Sequence, residues 1–170
     1  FRDAIRGVVD ISTHLVATVI TPPDGRYFAS EISTILGYSG IQAHVLIIHS
    51  LERIYEMLEY LQPNILTVIS TTIEEPRIPS SVQLCITFNG EQKIHTYRQL
   101  DMCHIDEFGF LGHSYDLSSW IPYNDQYLFE TSGNGNTVVT ALHNRIQPLL
   151  RLDIGHTIEL SASDELNQLE

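Results

Sequence analysis

At 170 residues the chain is long enough for one domain with a genuine core, a fold of that size hiding ~70% of its unfolded surface without needing staples. Hydrophobic residues make up 43% and charged residues only 18%, against a usual ~25%, and the formal charge is −12 at pH 7. With eight arginines, the single lysine Lys93 and no basic cluster, no phosphate-binding face is evident, so direct nucleic-acid binding is not expected.

Lysine is the residue that most often decorates a solvent-facing surface, and its scarcity suggests that much of this surface faces other protein. Cys85 and Cys103 belong to no C-x-x-C pair and read as reduced, buried thiols. No apolar run is long enough for a spanning helix and no signal peptide is visible, so no membrane contact is expected. The opening on Phe1 suggests a processed product or an excised piece, compatible with a reducing compartment or a virion.

In chain order, the β-branched run "HLVATVIT" (14–21) predicts a strand, and "PPDG" after it a turn. Phe28, Ile32, Ile35 and Leu36 follow at helical spacing, with Gly37 and Gly40 as C-terminal punctuation. "QAHVLIIH" (42–49) is almost continuously apolar, the pattern of a strand buried on both faces. Ser50 then stands as N-cap to "LERIYEMLEYLQP", where Leu51, Ile54, Tyr55, Leu58 and Leu61 make one stripe and Pro63 lies beyond the end. "NILTVISTTI" (64–73) is a further strand, which completes a right-handed βαβ unit.

A Pro-containing connector at 74–81 marks a possible lobe change within a single domain spanning 1–170. Beyond it, "VQLCITFNGEQKIHTY" (82–97) reads as two strands joined by Asn89-Gly90 in a type I′ turn. Residues 101–136 form an aromatic-rich excursion with short strands. "TVVTALHNRIQPLL" (137–150) fits strand or helix, Pro148 opposing a long helix, and a closing strand pair surrounds Ile154-Gly155 before a polar tail.

The densest chemistry lies in "CHIDEFGFLGHSYD" (103–116). His104 and Asp106 have the H-x-D spacing that puts two ligands on one face of a strand, and His113 and Asp116 would complete a zinc site whose donors converge within about 2.0–2.3 Å. The plainer reading is a loop whose Asp and His bond to backbone while Phe108, Phe110 and Leu111 anchor it. Tyr115, Trp120, Tyr123 and Tyr127 carry large apolar area with polar tips and are candidates for partner contact, or else plugs of their own domain's core. Glu52, Glu56 and Glu59 line the polar side of the best helix, either solvated or facing an arginine. "GYSG" (37–40) and "GNGNT" (133–137) complete neither a nucleophile elbow nor a phosphate loop.

These observations predict an α+β fold, a mixed sheet with one or two helices on one face and antiparallel hairpins in the second half; a β-sandwich with a helical insertion at 51–62 is the alternative. The function expected is non-enzymatic: an acidic structural subunit, or a fragment of one, that packs with other chains into an oligomer or hetero-assembly such as a viral capsid in a virion, without a cofactor. Two alternatives accompany it. One is a metal-dependent hydrolase, with zinc on His104, Asp106, His113 and Asp116 and Glu107 as general base; the other is a carbohydrate- or peptide-binding β domain using Trp120 and Tyr123.

Overall fold

A computed structural model of the chain describes residues 2–6, 8–9, 15–69, 71, 73–90, 92–95, 97–106, 108–115, 120–143 and 150–154. After the short helix α1 (Arg2–Arg6) come β1 (Val16–Thr21), α2 (Arg26–Tyr38), β2 (Gln42–Ile47), α3 (Leu51–Leu61), β3 (Ile65–Val68) and β4 (Leu84–Phe88). The second half supplies β5 (Arg98–Ile105), β6 (Gly109–Ser114), β7 (Ile121–Pro122), β8 (Tyr127–Thr131), β9 (Thr137–Ala141) and β10 (Leu152–Asp153). β1 to β7 form a seven-stranded sheet in the order β2-β1-β3-β4-β5-β6-β7, and β8 to β10 a three-stranded antiparallel sheet. The fold is α+β with a mixed sheet, as the sequence predicts.

The chain divides into two compact units, Phe1–Asp101 and Met102–Glu170, and the connector at 74–81 lies inside the first. In the first unit β1 pairs in parallel with β2 on one side and β3 on the other, and β3 pairs in parallel with β4. The two crossovers from β1 to β2 and from β2 to β3 therefore run in opposite directions. Right-handed connections then put their helices on opposite faces, where a shared face was expected. The packing agrees. Ile54, Tyr55 and Leu58 of α3 bury against Ile20, Leu66, Val68 and Cys85, which the strand register puts on one face. On the other face the α2 residue Phe28 meets Phe88 edge to ring, with centroids 5.0 Å apart.

α3 owes its position to that stripe, each fully buried aliphatic residue of which contributes roughly 1.5–3 kcal/mol. No side chain caps its start, although Ser50 stands there with extended backbone; at the other end Gln62 turns left-handed at φ 44°. The helix is also clamped from outside. The Arg77 guanidinium lies 3.9 Å from the centroid of the Tyr55 ring and grips both Glu52 oxygens at 2.7 Å, while the Tyr55 hydroxyl accepts from the Glu74 N–H at 3.0 Å. Glu52, one of the three stripe carboxylates, thus meets an arginine of its own chain. That hydrogen bond from Arg77 holds its carboxyl below the ordinary range.

Two local readings need correction. β2 is the edge of the sheet, with Val45 and Ile47 each 37% exposed, and is not buried on both faces. The Asn89-Gly90 turn forms with both residues at positive φ (54° and 70°), as type I′ demands, yet no strand follows directly. Instead Gln99 reaches back, its Oε1 accepting from Ile94 N at 2.9 Å and its amide donating to Gln92 O at 2.7 Å, and holds this segment out of the sheet. The neighbour of β4 is β5, which begins only at Arg98. In the second unit Cys103, Leu111 and Val139 form a small core on which Phe108, Trp120, Tyr127 and Phe129 pack. Among the described residues no helix is long and apolar enough to cross a membrane.

Candidate functional site at the carboxyl edge of the sheet

Because β2 and β3 flank β1, the strand order reverses at β1, and in open parallel sheets the crevice outside the carboxyl ends at such a reversal is where ligands sit. Three segments meet that edge. From β1, the fully buried Thr21 donates its hydroxyl to Pro22 O at 3.1 Å, and Pro23–Gly25 coil into a 3-10 turn that leads directly into α2. From β3, the Ile69 N–H donates to Ile20 O at 2.9 Å, which carries the parallel ladder past the strand's end. From β4 come Phe88 and the Asn89-Gly90 turn.

The segments are in close contact. A Cβ on Gly25 would run into Thr21 Oγ1 and would lie 3.5 Å from the Ile69 side chain, so only glycine lets this backbone approach. The third segment is fixed by Asp101, fully buried, which accepts from Thr87 Oγ1 at 2.5 Å and from Gly90 N at 2.7 Å. At the start of α2 stands Arg26, exposed, 4.9 Å from the Tyr27 ring centroid, with Nη2 3.2 Å from the Tyr27 hydroxyl. The start of α2 thus brings the positive end of its dipole and an exposed guanidinium to this edge, where Phe28 packs on the buried Phe88. A dipole end and a guanidinium suit an anionic group. Burial pushes the Cys85 thiol, in the core beneath α3, up to about 12.

The residues singled out from sequence lie in the second unit. His104 Nδ1 is 3.8 Å from Asp106 Oδ1, with the Asp106 side chain 97% exposed, and the imidazole meets Phe110 edge-on at 5.2 Å. His113 is buried, its ring 5.1 Å from that of Tyr115 and 5.6 Å from that of Tyr123. Asp116 and Glu107 lie outside the described residues. Among the described residues no three His, Cys, Asp or Glu side chains converge on a metal position. Of the aromatics, Trp120 packs on the second unit's core, and Tyr127 does so too while donating its hydroxyl to Phe108 O at 2.6 Å; Tyr115 is exposed. Thr21, Phe88 and Asp101 carry no sequence signal of their own; "PPDG" directly after a β-branched run marks only the turn that holds Gly25.

Burial holds the His113 pKa below its ordinary value of 6.5. An unfolded chain with the ordinary value binds more protons than the folded one as pH drops below 6.5, so stability present above that pH is lost as pH falls toward the lowered folded value. The urea midpoint of the protein is therefore expected to fall between about pH 7.5 and about pH 5.5, and to fall less in His113→Gln. Equal falls in both proteins would show that His113 is not a source of the pH dependence.

No model of a known family matches the chain, and no curated protein sequence does. Among solved structures, the chain is similar to coronafacic acid ligase from Pectobacterium brasiliense: in a mutant form of that enzyme the TM-score is 0.56, at 12% identity over 96% of this chain and 38% of the ligase. In another crystal structure of the same ligase the TM-score is 0.53, again at 12% identity and with the same coverage. The chain thus spans well under half the length of the ligase it matches. This likeness to an enzyme fold overturns the expectation of a non-enzymatic capsid or virion subunit.

Proposed function

We infer that this chain is the acid-holding part of a carboxylic-acid ligase, with the carboxyl edge of β1, β3 and β4 as its substrate site. The observation that carries the reading is the fold likeness to coronafacic acid ligase along 96% of the chain. The chemistry of the edge supports it. A net charge of −12 repels small anions, so the local positive potential of Arg26 and the start of α2 must orient the carboxylate.

The test is residue-resolved binding. Cycloalkane and aryl carboxylic acids titrated into the nitrogen-15-labelled chain are expected to shift the Gly25 and Gly90 amides saturably, and the corresponding methyl esters much less. Absence of saturable shifts at both glycines with every acid at millimolar concentration would overturn the reading. Esters acting as well as acids would do the same.

A further inference from the structure

The edge strand β2 presents a second feature, separate from the carboxyl edge. Between β2 and α3 lies a cleft of about 360 Å³, at the small end of the ~300–1,000 Å³ of small-molecule sites. Leu46, on the α3 face of β2, lines it with Ile54 and Met57, Val45 and Ile47 border it along the free edge of the strand, and His49, Ser50 and Arg53 complete the lining.

The cationic lining is uncommitted. Arg53 forms no hydrogen bond or ion pair with any described residue: Glu52 beside it is engaged by Arg77, and Glu56 one turn on makes no ion pair with it. His49 likewise has no partner among the described residues. A guanidinium at the border of an apolar cleft is free to pair with an anion there.

We propose that this cleft is a binding site for a small amphiphilic carboxylate, an alkyl or aryl chain lying along Leu46, Ile54 and Met57 with its carboxylate on Arg53. The proposal does not depend on the ligase reading, which concerns the carboxyl edge. A volume of this size suits a short chain. Each methylene buried strengthens binding by about fourfold.

Methionine supplies the probe. The chain has two, Met57 in the cleft and Met102, fully buried in β5, so methyl-carbon-13 labelling gives one reporting signal and one internal control. Titration with sodium octanoate is expected to shift the Met57 methyl saturably and leave Met102 in place, with hexanoate weaker by roughly tenfold or more. Arg53→Gln should weaken octanoate about tenfold or more while leaving the urea midpoint unchanged, since the exposed guanidinium bonds to no described residue. Octanol or octylammonium shifting Met57 as tightly as octanoate would overturn the proposal, as would an unaltered affinity in Arg53→Gln or no saturable shift. Because Met57 reports the cleft and Gly25 and Gly90 report the carboxyl edge, failure at one site is read separately from failure at the other.

Discussion

Asp101→Ala is expected to destabilise the protein by on the order of 2–3 kcal/mol, read as a fall in the urea midpoint of unfolding. The carboxylate is fully buried and accepts from the Thr87 hydroxyl and the Gly90 amide. Alanine leaves the buried Thr87 hydroxyl without its acceptor, an orphan that costs about 1–3 kcal/mol, and frees the Gly90 turn, whose exposed N–H water can satisfy. Thr87 is itself 1% exposed and accepts from Gln99 Nε2 at 2.7 Å, so the loss spreads to the Gln99 bonds that hold residues 92–95. Asp101→Asn should cost less than alanine, because one amide oxygen still accepts while the NH2 confronts a donor. A fall of under about 1 kcal/mol for alanine would mean that water replaces the carboxylate at this turn.

Nothing in the sequence marked Asp101. A carboxylate in "RQLDMCHI" reads as surface, since burial of an acid is legible only once its donors are known, and those lie more than ten residues away at Thr87 and Gly90. The local turn itself was legible: Asn-Gly tolerates two successive positive φ values, and both occur. What followed it was not, because the side chain of Gln99 decides where the next strand starts. Likewise the order β1, α2, β2, α3, β3 follows from periodicity and punctuation, whereas the edge position of β2 does not. A continuous apolar run says that a strand wants cover, and strand order alone says whether the sheet gives it.

Titratable side chains cluster in sequence at 103–116, but a β-strand followed by a turn distributes neighbours in sequence to different environments. His113 ends up buried against two tyrosine rings and Asp106 almost fully in solvent. The carboxyl edge is instead assembled from three separate segments, and its contributors are a glycine, a threonine and two phenylalanines, residue types that announce no chemistry by themselves. Their significance comes from topology, through the reversal of strand order at β1.

The helix that was most legible in sequence also carries the second large effect. Leu58→Ala is expected to cost about 2–5 kcal/mol by urea unfolding, the range for emptying a closed aliphatic site. Leu58 is 0% exposed and sits midway along the stripe that meets Ile20, Leu66, Val68 and Cys85. Collapse around the void is restricted: the Glu52–Arg77 pair and the Arg77 contact with the Tyr55 ring tie the N-terminal half of α3 to the 74–78 segment, and just past its other end Ser81 Oγ donates to Pro63 O at 2.9 Å. A helix held at both ends cannot sink toward the sheet, so the cost should fall in the upper part of that range. Leu51→Ala, at the 40% exposed start of the same helix, should change stability by less than about 0.5 kcal/mol. If the two variants proved equally mild, α3 would be free to move on the sheet, and the cleft it forms with β2 would not be a fixed volume either.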